Sequence, residues 1–304
     1  MARAGRPSPA DPPRVSVIMV AYRTGPSLFT AIPRVLADLL VQELVLVDNG
    51  SAPEDAAKLR EIAASEPRLR LLQGHGNIGF ARGCNLGAGQ AKSGHLLILN
   101  PDAYLQPGCI AALIAGAEGF ASPCIVGARV LNTDGSEQRG ARRGEVTLLS
   151  TVLSLSGLTR LAPFHGFEIH RDGEVVPAGP ITVPTISGAC FLISLADFDA
   201  LGGFDEGYFL HVEDIDLCWR ARRMGGSVVF QPTAEVLHEG STSASPKLKV
   251  EFHKSQGLIR YFFKRADNPI SWIAALALSP MIMSAALARP LLRGLLGPVR
   301  GRLS

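Results

Sequence analysis

Residues 73–87 read QGHGNIGFARGCNLG. Gly74, Gly76 and Gly79 spell G-x-G-x-x-G, the apolar run LRLLQ precedes them, and Asp102 follows about twenty residues on. That is the layout of a dinucleotide-binding turn. Against an NAD-dependent oxidoreductase stand a complete strand-helix-strand-helix unit upstream and the lack of a downstream candidate for hydride transfer.

Working outward, residues 15–20 (VSVIMV) form an apolar run of β-formers and read as a buried parallel strand. Residues 27–40 carry apolar positions at helical spacing, with Pro33 expected near a helix start or a kink. Residues 44–47 (LVLV) read as a second strand, stopped by the turn cluster Asp48-Asn49-Gly50-Ser51. Residues 53–65 read as a helix opened by Pro53, 69–72 as a third strand, 80–91 as a helix and 96–99 as a fourth strand. This alternation implies an α/β fold, a parallel sheet covered on both faces. Ligands on such sheets bind at the carboxyl ends of the strands. Ala21-Tyr22, Asp48-Asn49, Gly74 to Gly79 and Asn100-Pro101-Asp102 then share one rim. Residues 136–182 give no secure element; order returns at ISGACFLI (186–193), at residues 202–226 and at 228–230.

A chain of 304 residues is long enough for a sizeable core. A formal net charge of +3 gives no argument for a nucleic-acid partner. Five cysteines with no C-x-x-C pair fit reduced cytosolic thiols and indicate neither a disulfide framework nor a zinc site. Residues 1–14 hold four prolines and no apolar h-region, so they read as a disordered lead-in and not as a secretory signal.

Several polar clusters carry two readings each. Glu213, Asp214 and Asp216 open a helix over 213–225 whose last turn is rich in arginine, an arrangement that suits the helix dipole, with Asp216 and Arg220 spaced to pair. The aromatic-glycine loop GYFL ahead of them is equally a place to present a carboxylate into a cleft. Asn100-Pro101-Asp102 is either a turn or a carboxylate for a divalent cation. His238 is a packing histidine or a ligand. Tyr22 packs, or stacks on a base; Asp48 forms a turn, or accepts from a base N–H.

The pieces VSVIMVAYRTGPSL, ELVLVDNGS, NIGFARGCNLGA, LLILNPDA, SGACFLI, GGFDEGYFLHVEDIDLCWRARRMG and EVLHEGSTS occur in this order over residues 15–245. In this the chain resembles the family 2 glycosyltransferases of the GT-A fold, in particular their bacterial rhamnosyltransferase-like branch. The resemblance implies a Rossmann-like, mostly parallel nucleotide-binding sheet flanked by helices, with an acceptor-side region after it. Residues 15–265 would form the catalytic domain, 15–110 its nucleotide-sugar half and 111–265 its acceptor half. By the same resemblance Ala21, Tyr22 and Arg23 cup the base of a nucleotide sugar and Asp48 recognises the base edge. Gly79, Arg82 and Asn100 fall at sugar-nucleotide positions, and Asp102 matches the last acid of the metal motif. Asn100 stands at that motif's first position and leaves the metal one charge fewer. His238 matches a histidine that completes the metal site in several members. Asp214, beside Glu213, matches the general base, and Gly188 and Ala189 fall on the acceptor side.

The opening stretch then reads differently. Its informative part becomes N-x-G-F-A-x-G-x-N-x-G, residues 77–87, in which Gly79 and Gly83 are expected to let backbone and helix approach a nucleotide sugar, with Arg82 facing it. Gly74 and Gly76 read as turn residues.

The resemblance implies an inverting transfer from a UDP- or dTDP-sugar, with Mn²⁺ or Mg²⁺ as cofactor, to a glycan or polyprenyl-linked acceptor in cell-envelope polysaccharide synthesis. A nucleotidyltransferase is the alternative, but no glycine-rich triphosphate loop bearing Arg and Lys appears near Tyr22. Arg139, Arg142 and Arg143 read as a solvated basic face, with an acceptor diphosphate as the other possible partner. Residues 270–288 (ISWIAALALSPMIMSAALA) lack any charge and precede the arginines 289, 293, 300 and 302. As a helix they would extend about 28 Å, barely the hydrocarbon core. Residues 266–304 are therefore expected to lie on the inner face of the cell membrane as an apolar and basic anchor.

Overall fold

The computed structural model describes residues 14–156, 158–240, 242 and 246–296. The expected lead-in lies outside the described residues except for Arg14, as do Arg300 and Arg302 and the side chains of Arg289 and Arg293.

The nucleotide half alternates β1 (Val15–Ala21), α1 (Pro26–Ala37), β2 (Val41–Asp48), α2 (Pro53–Ser65), β3 (Leu69–Leu72), α3 (Phe80–Ala88) and β4 (His95–Leu99). Then come β5 (Ala103–Leu105), α4 (Cys109–Ala115), β6 (Cys124–Leu131), β7 (Arg142–Arg143), α5 (Leu148–Ser156), β8 (Ile181–Thr182), β9 (Thr185–Ile186), β10 (Cys190–Ser194) and α6 (Leu195–Ala200). The chain closes with α7 (Glu213–Arg223), β11 (Ser227–His238), α8 (Lys247–Arg265) and α9 (Pro269–Leu296). The main sheet runs β3-β2-β1-β4-β10-β6-β11-β5, with β8 on β11, and β7 pairs with β9 in a separate small sheet. Neighbours from β3 to β4 are parallel, β10 is antiparallel to both β4 and β6, and β11 is parallel to β6.

Every residue of β1 is buried because the sheet is covered on both faces. Its alternation sends Val15, Val17, Met19 and Ala21 to a core with Leu28, Ile32 and Val35 of α1 and Leu59 of α2. Ile18 and Val20 face the opposite core, with Ala81, Cys84 and Ala88 of α3. There α3 lies very close to β1. A Cβ on Gly83 would come 2.8 Å from a Val20 methyl, and one on Gly87 would come 2.6 Å from an Ile18 methyl. Gly83 thus serves helix-on-sheet packing, which corrects its expected role beside a ligand.

Several boundaries differ from the sequence reading. α1 opens at Pro26 and carries Pro33 in its interior, and it ends at Ala37 because Asp38 turns extended and its side chain accepts from the Leu40 N–H. β2 therefore begins at Val41, paired with β1. β11 is far longer than residues 228–230 and absorbs Pro232 in an irregularity between Gln231 and Glu235. In the stretch that gave no secure element, LLSTVLSLS forms α5. Thr147 Oγ1 accepts from the Ser150 N–H at 3.0 Å while Ser150 Oγ accepts from the Thr147 N–H at 2.9 Å, a reciprocal cap. All five cysteines are buried and unpaired.

No helix among the described residues is long and apolar enough to cross a membrane. α9 packs on α8, burying Ala275 and Ile282 and setting Trp272 5.2 Å from the Phe263 ring, while Ile270, Ile273, Leu276 and Met281 remain exposed.

Candidate active site

The carboxyl ends of β1 and β2 are tied together by the Asn49 N–H, which donates to the Ala21 carbonyl at 2.8 Å. Asp48 Oδ1 accepts from the N–H groups of Gly50 (3.1 Å) and Ser51 (2.8 Å), and Oδ2 accepts from the Gln73 amide at 2.7 Å. Burial alone would raise its pKa; the Gln73, Ser51 and Gly50 hydrogen bonds outweigh that and hold it below the usual carboxylate range. Asp48 thus forms the turn. Gly50, at φ 130°, lies under the Tyr22 ring, where a Cβ would stand 3.5 Å away, and the Arg23 guanidinium is 5.4 Å from the centre of that ring. Arg23 itself has φ 49°, an uncommon conformation for a side-chain-bearing residue.

Gly74 and Gly76 have positive φ with open space around them, as turn residues do. Gly79 is different. It caps α3 at φ 86°, its carbonyl accepts from the Asn49 side chain, and a Cβ there would meet the Phe209 carbonyl at 2.7 Å. The close approach at Gly79 is therefore made by the loop preceding α7. Arg82 pairs with Glu206 of the same loop at 3.5 Å, both side chains more than half exposed.

At the end of β4 and along β11, three polar side chains converge. His238 Nε2 lies 3.1 Å from Asp102 Oδ1 and 3.2 Å from the Asn100 side-chain amide. On the other side of the ring, His238 Nδ1 meets Gln138 Oε1 at 2.7 Å, and the Gln138 NH₂ donates to Asn132 Oδ1 and to the His238 carbonyl. Those two acceptors fix which end of Gln138 faces the ring, so Nδ1 carries a hydrogen and Nε2 is the nitrogen turned to Asp102. Nε2 and the Asp102 carboxylate oxygen facing it are two candidate ligands for a cation. With the Asn100 amide turned over, its oxygen joins the set, giving one carboxylate, one imidazole and one amide oxygen. That donor set fits Mn²⁺ or Mg²⁺, the remaining positions being left to phosphate oxygens and water. Among the described residues no cluster of three or more His, Cys, Asp or Glu side chains is arranged for a metal. Thr242 donates to Asp102 Oδ2 at 2.8 Å. For Asp102, burial pushes the pKa up, but His238 and Thr242 outweigh it and the net shift is downward.

The second half of the site is the start of α7. His211 and Val212 precede it with φ 67° and 75°, a strained turn for side-chain-bearing residues, Val212 being β-branched. A Cβ on Gly257 of α8 would stand 3.1 Å from the His211 carbonyl and from a Val212 methyl, so α8 closes on that turn through a glycine. Asp214 Oδ1 accepts from the Ile215 N–H at 2.8 Å; Oδ2 accepts from the Gly188 N–H at 3.0 Å and Arg143 Nη1 at 3.1 Å. Glu213 is buried, with Oε2 lacking a hydrogen-bond partner, and burial followed by the charge of Asp214 pushes its pKa up. Asp216 is fully buried and structural: it takes Arg220 at 2.7 Å, as its spacing predicts, together with Lys264.

The two halves meet through residues 188 and 189. The Asn100 N–H donates to the Ala189 carbonyl at 2.8 Å, and the neighbouring Gly188 N–H holds Asp214. Arg142 and Arg143 depart from the solvated basic face expected of them. Arg142 is buried on Glu137 at 2.7 Å, and Arg143 faces Asp214; of the three arginines Arg139 alone is exposed. Gln138 and Thr242 at the site escaped the sequence reading, and Arg143 was singled out there without its partner, since each stands in a loop or two-residue strand where no periodicity marks it.

A mostly parallel sheet flanked by helices, with polar clusters at its strand ends, is the architecture of the GT-A fold. The sequence pattern of Glycosyl transferase family 2 matches residues 16–201, and the chain belongs to that family. It is similar to N-acetylglucosaminyl-diphospho-decaprenol L-rhamnosyltransferase of Mycobacterium tuberculosis, 29% identical over 277 residues that cover 84% of this chain and 85% of that one. Rhamnosyltransferase WbbL of Escherichia coli is 23% identical over 240 residues, 74% of this chain and 83% of that one. Among solved structures, GalNAc-T7 with UDP, GalNAc and Mn²⁺ shares the fold at a TM-score of 0.59 and 20% identity, over 82% of this chain; the matched part is 47% of that longer chain. The chain is thus a family 2 glycosyltransferase whose curated relatives include bacterial rhamnosyltransferases.

Proposed function

We propose that the chain transfers a sugar, rhamnose being the first candidate, from a UDP- or dTDP-linked donor to a hydroxyl of a glycan or polyprenyl-diphosphate-linked acceptor, inverting the anomeric centre. The observation that carries this is the convergence of Asn100, Asp102 and His238 on one side and Asp214 on the other, joined through Gly188 and Ala189. The printed activity of the mycobacterial relative supports rhamnose and a diphospho-polyprenol acceptor.

In this reading Tyr22 and Arg23 receive the base and Asp48 its edge, while Gly79 and Arg82 border the donor. A divalent cation held by Asp102 and His238, with Asn100 beside it, would neutralise the diphosphate leaving group as its bond to the anomeric carbon breaks. The acceptor oxygen bonds to that carbon from the opposite face and gives its proton to Asp214, and the bond to the nucleoside diphosphate breaks with its electron pair. Much of Asp214's effect comes through position. Gly188 and Ala189 border the acceptor. The exposed apolar side of α9 would rest on the inner face of the cytoplasmic membrane, where such an acceptor is anchored.

A donor screen tests this: nucleoside diphosphate release is followed with UDP- and dTDP-sugars, with Mn²⁺, Mg²⁺ or chelator, and with or without lipid-linked acceptor. Release that depends on both metal and acceptor is expected. Full release in chelator would overturn the role given to Asp102 and His238.

A further inference from the structure

We infer that Arg143 is a positioning residue for Asp214, saturating Oδ2 together with the Gly188 N–H so that the acceptor's proton is taken at Oδ1. The inference rests on reading Asp214 as the base. A carboxylate offers about four lone-pair sites, two on each oxygen. Oδ2 of Asp214 receives two donors, Arg143 Nη1 and the Gly188 N–H, whereas Oδ1 receives one, the Ile215 N–H. The remaining site is on Oδ1.

One small sheet delivers both donors to Oδ2. β7 pairs antiparallel with β9, setting Arg142 opposite Ile186 and Arg143 opposite Thr185, and the Ser187 N–H continues the pairing to the Ala141 carbonyl. Gly188 follows directly. Alternation along a strand sends neighbouring side chains to opposite faces. Arg142 goes inward, clamped by Glu137 at 2.7 Å and by the Glu174 carbonyl at 2.9 Å, so Arg143 is turned toward Asp214. The other edge of β7 is held as well, since the Gly144 N–H donates to the Ile169 carbonyl at 2.7 Å. Gly140, at φ 90°, makes room for the guanidinium: a Cβ there would lie 3.1 Å from Arg143 Nε. Gly188 itself lies close against Asp214, since a Cβ there would stand 3.2 Å from Asp214 Cβ.

The test uses the full-length chain with Arg143→Ala, Arg143→Lys and Asp214→Asn. A displaced base costs turnover and not affinity, so Arg143→Ala is expected to lower kcat about 100-fold. Its KM values for donor and acceptor should stay within about threefold of wild type. Arg143→Lys should keep more turnover than Arg143→Ala, and added guanidinium should restore part of the activity of Arg143→Ala. Unchanged nucleotide binding and thermal melting would show that the variant is folded; should it fail to fold, Arg143→Lys and its kcat carry the test. A kcat within about threefold of wild type at saturating acceptor, or a loss confined to acceptor KM, would overturn the inference. The latter would place Arg143 on the acceptor itself. If Asp214→Asn is inactive while Arg143→Ala is normal, this inference alone fails; if Asp214→Asn turns over normally, the reading of the base fails with it.

Discussion

Glu213 and Asp214 are neighbours in sequence with opposite surroundings. Asp214 is held by three donors, while Glu213 is buried with one oxygen lacking a partner, and its carboxyl is pushed up by burial and then by Asp214. An acid whose folded pKa lies above its unfolded value binds more protons when folded, so this group costs stability as pH rises from about 4.3 through the raised value. Glu213→Gln removes that cost. The variant should match wild type near pH 4 and melt about 1–2 °C higher at pH 8, the change that ~1 kcal/mol produces in a chain of this size. Equal melting differences at both pH values, followed by calorimetry, would refute the assignment. Asp214 was legible in the sequence because it opens a helix after an aromatic-glycine loop. The pairing of Arg143 with it was not, because a two-residue strand has no period and the two residues lie 71 positions apart.

At the scale of elements, the β-α alternation up to β4 was legible because β1, β2 and β4 are buried on both faces and centre on apolar runs, while β3, at the sheet edge, is only partly buried. The acceptor side was less so. β7, β8 and β9 have two residues each, and their pairing is set by contacts far apart in sequence. α5 did carry a signal, the T-x-x-S cap ahead of its apolar run, which periodicity alone passes over. The glycines divide in the same way. Gly74→Ala meets open space and should cost only the ~1–2 kcal/mol of a left-handed backbone. Gly79→Ala must in addition push the Phe209 backbone away from α3, and the loop it displaces leads into Glu213 and Asp214. Gly79→Ala should therefore melt lower than Gly74→Ala and lose transfer, while Gly74→Ala retains it. Equal activity in the two variants would show that the loop does not depend on that contact.

Across the whole molecule, two cores on opposite faces of one sheet hold the two halves of the site at its rim. α8 ties the C-terminal helices to the site. Arg260 and Lys264 pair with Asp205 of the loop ahead of α7, and Lys264 also reaches the buried Asp216. The exposed side of α9, with Ile270, Ile273 and Leu276, is thus mechanically continuous with the segment that presents Asp214. Ile273→Asp combined with Leu276→Asp should abolish co-sedimentation with anionic phospholipid vesicles and leave nucleotide-sugar binding unchanged. Undiminished co-sedimentation would remove α9 from the membrane contact.

Nucleotide-sugar binding at this rim and transfer of the acceptor's proton to Asp214 together make up the proposed reaction. The most direct measurement sets donor affinity, by calorimetry, beside single-turnover transfer for wild type and Asp214→Asn. Donor affinity within about threefold of wild type and transfer lowered at least about 100-fold are expected of that reaction. Transfer near the wild-type rate in Asp214→Asn would contradict it.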